Sequence, residues 1–374
     1  MSSKAVGIVN LHYASGCGGL NLNRSIASTS YISRYAFMDF PLSNFSNSGI
    51  DKTAVLVKNH LRSIIQHIGG GHVYNKNSKL GGVTLLYDEI FASNEMYNHD
   101  INNLLENKWY LNSISEDTDV FVIAPSHIIY KMDYRPYIED HVANKNKISI
   151  FYSKINNAKS TFTSEQVVKV DNNGILVDMH DNLGNSDKES VFLQTIIIDK
   201  EVLNGLVELG KKTSSLYTLL DVIKSIYKDV PIHCYEYKGI VRCFDSLEHY
   251  LEYSQEFLFN EDIRKNYFDS SWPIYTKSFD TPPAKYKSCA NVQNSFVANG
   301  CQIEGTIINS VIGRDVVVKP GAVIKDSVVL TGSYISESTY LENVVVDKEA
   351  KVIHKKNIVG TKDKVQYIKR GDIV

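Results

Sequence analysis

Two stretches of the sequence place polar side chains where an α/β protein would bind its ligands. Residues 119–124 form the most apolar predicted strand up to that point, and Ser126 and His127 follow it closely. Because the carboxyl ends of strands in an α/β sheet face the ligand crevice, these side chains are candidates for binding a metal ion or a substrate. A carboxylate here could hold Mg²⁺, but the neutral hydroxyl of Ser126 cannot be its main anchor. We interpret His127 as a packing residue and nearby Asp133 as a helix N-cap.

The second stretch contains Cys243 and Asp245. In a strand, residues two apart have their side chains on the same face of the sheet. Asp245 could therefore present a carboxylate on the same face as Cys243.

Two further features suggest chemistry but have simpler interpretations. His99 could be catalytic, although a surface histidine at the start of a helix is more common. Asp100 is the predicted N-cap of a helix over 101–109. The triple glycine Gly69–Gly71 is predicted to end a helix rather than to cradle a phosphate, because no Lys-Ser/Thr pair follows it.

Hydrophobic patterning supplies the elements that would position these residues. Apolar and β-branched runs predict strands over 4–10, 54–57, 82–87, 119–124, 147–152, 166–170 and 190–199. Helices are predicted over 59–68, 101–109, 216–227 and 244–259. This alternation predicts an α/β, Rossmann-like domain.

A different period begins near Cys289. One apolar column recurs every six residues at Val311, Val317, Val323 and Val329, and a second lies beside it at Ile312, Val318, Ile324 and Leu330. After a break, Tyr340, Val346 and Val352 resume the period. Strands repeat at two and helices at 3.6, so sustained sixes predict a left-handed parallel β-helix of hexapeptide repeats. The domains are therefore predicted as 1–259, a linker over 260–288 and a β-helix over 289–374.

Composition narrows the class of protein. The 374 residues have a formal net charge of −2, which gives no electrostatic reason to expect binding to nucleic acid or an anionic membrane. The five cysteines lack metal-ligand spacing and are predicted to be reduced thiols. No secretory signal or apolar stretch of about 20 residues is apparent. We therefore expect a cytoplasmic protein.

The segment Asp39-Phe40-Pro41-Leu42-Ser43-Asn44, followed by Asn47-Ser48-Gly49-Ile50, resembles the ADP-glucose pyrophosphorylase (glucose-1-phosphate adenylyltransferase) family. The segment His127–Tyr134 is similar to another family motif, and the hexapeptide region matches as well. The resemblance implies a nucleotidyltransferase domain followed by a left-handed β-helix. Among the family's members, the opening Asn10–Tyr13 is most similar to that of the non-catalytic regulatory subunit of bacterial glycogen synthesis.

Four positions that bind phosphate or metal in catalytic members have a different type of residue in this sequence. By this resemblance, the arginine of the triphosphate-binding loop falls on Gly16, and the lysine that meets the sugar phosphate falls on Asp181. The two metal-binding aspartates fall on Ser126 and Cys243. An anion facing a phosphate should repel it. No catalytic or metal-binding residue and no cofactor of its own is therefore predicted for this chain, and Mg²⁺ is expected to be needed by a catalytic partner.

The resemblance then implies a regulatory, catalytically deficient subunit that tunes a catalytic subunit within a hetero-oligomer, expected to be a heterotetramer. The alternative is an active or weakly active glucose-1-phosphate adenylyltransferase that holds its metal through Asp245 and Asp133. A hexapeptide acyltransferase that uses His354 is a third class. Arg24 and Arg34 match basic positions on the effector side of catalytic relatives and could bind a sugar phosphate or nucleotide. They could equally be solvated surface arginines.

Overall fold

The computed structural model describes residues 5–13, 16–75, 82–89, 97–114, 118–163, 165–213 and 218–374. It divides the chain into two compact units. The first unit comprises residues 1–15 and 38–245, and the second comprises residues 16–37 and 246–374. The predicted boundaries 1–259, 260–288 and 289–374 remain predictions, but the segment named a linker contains a helix and the first β-helix strand.

Before the repeat region, the structure contains these strands and helices in chain order. The strands are β1 (Ala5–Asn10), β2 (Ser30–Tyr31), β3 (Tyr35–Ala36), β4 (Lys52–Val57), β5 (Gly82–Tyr87), β6 (Val120–Pro125), β7 (Ile128–Ile129), β8 (Ile148–Ile155), β9 (Gln166–Val170), β10 (Leu176–Asp181), β11 (Glu189–Asp199), β12 (Ile232–Glu236) and β13 (Arg242–Cys243). The helices are α1 (Asp39–Asn47), α2 (Leu61–Ile68), α3 (Asp100–Glu106), α4 (Lys108–Ser113), α5 (Arg135–Ala143), α6 (Lys200–Lys212), α7 (Leu219–Ile226), α8 (Leu247–Phe259) and α9 (Glu261–Tyr267).

The first unit is built on a mixed sheet in the order β10-β9-β11-β6-β1-β4-β5, with β8 paired to β11 and β12 paired to β8. Strand β1 lies at its centre and runs parallel to both β4 and β6. It is buried along almost its whole length, which explains its continuous apolar run. Strand β11 pairs antiparallel with β6 and β8. The predicted α/β nucleotidyltransferase-like sheet is confirmed, and the crevice-facing ends of β1 and β6 lie side by side.

One helix of the first unit begins differently from its prediction. His99 is the N-cap of α3, and its ring nitrogen accepts a hydrogen bond from the backbone N–H of Asn102. Asp100 is therefore the first helical residue rather than the cap, which leaves its carboxylate available for other contacts. The single helix predicted over 101–109 is two short helices that meet at Asn107.

The repeat region forms a β-helix with three parallel sheets. Its strands are β14 (Lys285–Tyr286), β15 (Asn291–Gln293), β16 (Phe296–Val297), β17 (Gln302–Ile303), β18 (Thr306–Ile308), β19 (Val311–Ile312), β20 (Val317–Val318), β21 (Val323–Lys325), β22 (Val328–Val329), β23 (Tyr334–Ile335), β24 (Tyr340–Glu342), β25 (Val344–Val346), β26 (Lys351–Val352), β27 (Asn357–Val359) and β28 (Gln366–Ile368). Every third strand joins the same sheet, so three strands make one coil. The predicted left-handed β-helix is confirmed, and its strands begin at Lys285, before the predicted Cys289.

The two apolar columns of the repeat are not equivalent. Ile312, Val318, Ile324 and Leu330 are all buried, with at most 1% exposure. In the neighbouring column, Val317 and Val323 are only half-buried. The second column is therefore buried throughout, whereas the first is buried at Val311 and Val329 and lies at the margin at Val317 and Val323.

The helices formed by the described residues are too short or too polar to cross a lipid bilayer. All five cysteines, which the structure describes, are thiols rather than disulfides.

Candidate functional site

The loop that follows β1 closes onto α3 through a buried carboxylate. The Nδ2 of Asn10 donates to Asp100 at 3.0 Å, and the hydroxyl of Tyr13 donates to the same oxygen. The other Asp100 oxygen accepts the backbone N–H groups of Ile101 at 2.9 Å and Leu219 at 3.0 Å. Asp100 is fully buried. Both oxygens of Asp100 are thus hydrogen-bonded.

Burial shifts the pKa values of two residues in and beside this cluster. Burial raises the pKa of Asp100 to about 6, although its hydrogen bonds oppose that change. Burial and then the charge of Lys58 lower the pKa of nearby His12 to about 3. The Nε2 of His12 lies 3.2 Å from the side-chain amide of Asn103. His12 is thus held as a neutral ring in the segment predicted to distinguish regulatory subunits.

The residues after β6 form the second part of the site. Ser126 is fully buried, and its hydroxyl has no hydrogen-bond partner among the described residues. His127 Nε2 lies 2.9 Å from Glu165 Oε1, and each of these residues is 1% exposed. Strand β13 pairs with β7, which places Cys243 opposite Ile128. One potential ligand atom each from His127, Glu165 and Cys243 lies within 4.8 Å of the others.

This donor set does not fit Mg²⁺, the ion that the family resemblance implies for this position. Mg²⁺ requires oxygen ligands in near-octahedral geometry, usually from one or two carboxylates with waters and phosphates. Here a thiol and an imidazole accompany a single carboxylate, which already bonds to the histidine and to the amide of Gln194. Glu165 is therefore the one carboxylate of this cluster.

The two aspartates of the alternative prediction have other partners. Arg135 donates to Asp133 from its backbone and its guanidinium, with a shortest distance of 2.6 Å. Although partial burial opposes the change, these bonds lower the pKa of Asp133. Asp245 Oδ2 accepts the backbone N–H of Phe162 at 3.1 Å. Within the described residues, neither aspartate belongs to the cluster of His127, Glu165 and Cys243.

Asp181 ends β10 and remains an exposed anion. Lys224 donates to it at 3.1 Å, and Gln166 donates at 3.3 Å. These bonds lower the pKa of Asp181, so the carboxylate is charged at neutral pH. Gly16, the other predicted departure, is exposed.

The two predicted effector residues lie in the second unit and differ in their surroundings. Arg24 is 3% exposed, and its Nη2 lies 2.6 Å from both oxygens of Asp347. Tyr367 donates to the same carboxylate at 2.7 Å. Burial and then the charge of Arg24 lower the pKa of Lys348 to about 8. Two cations therefore crowd one carboxylate.

Arg34 is exposed, and its guanidinium lies 5.7 Å from the ring centroid of Tyr35. It lines a cavity of about 310 Å³ together with Lys277, Phe279 and Arg314. Arg24 does not line this cavity. His354, the residue of the acyltransferase hypothesis, is exposed near the end of the β-helix.

Sequence reasoning missed Glu165, Gln194 and Asp347. Glu165 lies 38 residues after His127, and Asp347 lies 323 residues after Arg24. No local pattern links residues so far apart. Gln194 had a weak signal, since a polar residue interrupts the apolar run of β11.

Two family models match the chain. One, described as "Nucleotidyl transferase", covers residues 29–178. The other, described as "GlmU-like, C-terminal hexapeptide", covers residues 282–369. The fold and these matches define a protein with a nucleotidyl transferase region followed by a hexapeptide β-helix.

Individual relatives narrow this class. The chain is 28% identical over 339 residues to a glucose-1-phosphate adenylyltransferase of Acetivibrio thermocellus, covering 90% of this chain and 78% of the relative. It is 25% identical over 361 residues to the glycogen biosynthesis protein GlgD of Bacillus subtilis, covering 94% of this chain and 91% of the relative. It is also 28% identical over 327 residues to GlgD of Geobacillus stearothermophilus, covering 87% of this chain and 84% of the relative. The chain is a homologue of glucose-1-phosphate adenylyltransferases and of GlgD proteins of glycogen biosynthesis.

Proposed function

We propose that this chain is a regulatory, catalytically deficient subunit of glucose-1-phosphate adenylyltransferase in glycogen biosynthesis. The enzyme converts ATP and glucose 1-phosphate into ADP-glucose and pyrophosphate. The proposal is carried by the cluster at the end of β6, where Ser126 and Cys243 occupy the predicted metal-carboxylate positions. Its single carboxylate, Glu165, is bonded to His127.

The expected loss of transition-state stabilisation supports an absence of catalysis rather than a modest decrease in its rate. Each factor of ten in rate corresponds to about 1.4 kcal/mol of transition-state stabilisation. A bound metal ion supplies several kcal/mol by offsetting charge on the reacting phosphates. The negative charge of Asp181 adds repulsion where the resemblance expects a lysine to meet the sugar phosphate. These losses act on the same transition state.

The proposed partner is the catalytic subunit, in a hetero-oligomer that we expect to be a heterotetramer. The name of the GlgD relatives assigns them to glycogen biosynthesis without naming an activity. A regulatory subunit needs a stable fold and a means of response more than it needs a working metal site. The charges of Arg24 and Lys348 near Asp347 support such a response.

The first experiment compares three samples in an ADP-glucose synthesis assay with Mg²⁺. The samples are this chain alone, the catalytic subunit alone, and an equimolar mixture. We expect no synthesis by this chain and a changed maximal rate or saturation curve in the mixture. Turnover by this chain alone that disappears in Asp245→Asn would instead establish the alternative, an active enzyme with a rebuilt metal site.

Lys348 and Arg24 are proposed to bind an anionic effector, either a sugar phosphate or a nucleotide. Lys348→Gln should raise the effector concentration for half-maximal activation of the mixture by about tenfold, the value of one charge-assisted contact of about 1.4 kcal/mol. The exposed Lys351 provides a control, and Lys351→Gln should leave the curve unchanged. Arg34→Gln tests the second predicted position in the same titration. An unchanged titration curve in both Lys348→Gln and Arg34→Gln would contradict the hypothesis that this chain binds the effector.

A further inference from the structure

The cluster of His127, Glu165 and Cys243 joins three separate segments of the first unit. His127 follows β6, Glu165 immediately precedes β9, and Cys243 ends β13. All three side chains are at least 99% buried. A buried imidazole–carboxylate pair beside a thiol is an unusual use of interior space, because polar groups are costly to desolvate.

The cluster also contains hydrogen-bonding groups that the protein does not satisfy. His127 Nδ1 and the Oε1 of Gln194 are buried without a hydrogen-bond partner among the described residues, as is the hydroxyl of Ser126. Each such atom costs about 1–3 kcal/mol in the absence of a ligand. Unsatisfied atoms beside three potential metal ligands indicate that a component of the site is missing from the protein alone.

The backbone around Gln194 supports the same conclusion. The pairing register of β11 with β8 shifts between Phe192 and Ile196, which marks a bulge. Within it, Gln194 has a positive φ of 51°. A non-glycine residue adopts this conformation at a cost of about 1–2 kcal/mol. The bulge allows the Gln194 amide to donate to Glu165 Oε2 and hold the carboxylate towards His127.

We propose that His127, Glu165 and Cys243 bind a thiophilic divalent cation of the Zn²⁺ class. Thiolate and imidazole ligands select Zn²⁺ or Co²⁺ over Mg²⁺, and three protein ligands with one open position are a common zinc arrangement. On binding, Cys243 loses its thiol proton to solvent and bonds as the thiolate. Gln194 is a positioning residue that orients the ligand Glu165.

Such an ion would hold together the segments after β6, before β9 and at β13. Its binding free energy would add to the stability of the first unit, because the unfolded chain does not hold the three ligands together. The ion would thus add stability at the place where relatives are expected to use Mg²⁺.

The test measures metal content and metal affinity in the full chain. Protein prepared with Zn²⁺ should retain about one zinc ion per chain after gel filtration and should not retain Mg²⁺. With Co²⁺, the spectrum should show a thiolate-to-cobalt charge-transfer band. Cys243→Ser should abolish that band and weaken zinc affinity by more than about 100-fold, measured against a chromophoric chelator. Gln194→Ala should weaken it by about 10- to 100-fold.

Cys234→Ser is the matched control, because Cys234 is also a buried thiol of the first unit but lies outside the cluster. This variant should retain the cobalt band and the zinc affinity of the unmodified chain. Melting temperature reports on folding, and Zn²⁺ should raise it in the unmodified chain and in Cys234→Ser but not in Cys243→Ser. Folded unmodified protein that holds no zinc, or equal affinity in Cys243→Ser, would overturn the proposal. Either result would leave the assay of the proposed regulatory function unaffected.

Discussion

Replacing Asp347 with Asn should destabilise the second unit by about 3–5 kcal/mol. The substitution preserves side-chain shape but removes the charge that pairs with Arg24, a guanidinium that is 3% exposed. A buried charge without its partner carries an uncompensated desolvation cost of this size. Asparagine also cannot accept the hydrogen bond from Tyr367 and both contacts from Arg24 with equal strength.

The measurement is urea unfolding of the full chain, followed by a signal specific to the second unit. A double-mutant cycle with Arg24→Met and Asp347→Leu separates the pair from general packing effects. The double variant should be more stable than Asp347→Asn, because it removes both buried charges. If Asp347→Asn unfolds at the same urea concentration as the unmodified chain, the ion pair contributes little.

The same contact bears on the effector hypothesis for Arg24. Sequence similarity assigns a position, but it does not show which groups neutralise the arginine. In the structure, Asp347 already binds the guanidinium through Nη2, whereas Nη1 is buried and has no hydrogen-bond partner among the described residues. An anion could therefore bind Arg24 only alongside Asp347. The additional charge of Lys348 makes such binding electrostatically reasonable, which is why Lys348 is the better position to substitute.

Local patterns predicted the fold well where one period dominates. The six-residue repeat predicted the β-helix, because each coil must bury a residue at the same corner. It could not show that the column of Ile312 and Ile324 faces inward while Val317 and Val323 lie at the margin. In the predicted linker, Asn260 caps α9 by accepting the backbone N–H groups of Asp262 and Ile263. The Asn-Glu-Asp sequence there is a typical helix start that the prolines further along obscured.

The candidate site was harder to predict because its residues come together only in the folded sheet. Ser126 could be placed by its position after a predicted strand, and Cys243 by the family resemblance. Glu165 and Gln194 could not, because their contacts depend on the order of β6, β9 and β11 in the sheet and on a bulge. The spacing of the cysteines in the sequence does not indicate a metal site. The fold nevertheless brings potential ligand atoms of a histidine, a glutamate and a cysteine within 4.8 Å of one another.

The stability of the first unit should fall as the pH rises from about 4 to about 6, owing to Asp100. Its pKa is 3.8 in the unfolded reference and about 6 in the folded protein. Below pH 3.8 the group is protonated in both states, so it has no effect on the free energy of unfolding. Between these values the unfolded chain ionises first, which favours unfolding. Above pH 6 the full penalty is about 3 kcal/mol, at about 1.36 kcal/mol per pKa unit.

The comparison with Asp100→Asn isolates this group from all others that titrate in the same range. Asparagine keeps an oxygen that can accept the backbone N–H groups of Ile101 and Leu219, but it cannot ionise. The free energy of unfolding of Asp100→Asn, relative to that of the unmodified chain, should therefore increase by about 1.4 kcal/mol per pH unit between pH 4 and 6. Asp363→Asn, at an exposed aspartate of the second unit, should show no such trend.

A flat difference between Asp100→Asn and the unmodified chain would mean that Asp100 ionises as readily in the folded protein as in the unfolded chain. Solvent would then have to reach the cluster that Asn10 and Tyr13 form with Asp100. The predicted slope would instead show that the loop after β1 is closed by a carboxylate that resists ionisation. Under the proposed regulatory function, these internal hydrogen bonds would take the place of the phosphate contacts expected of catalytic relatives.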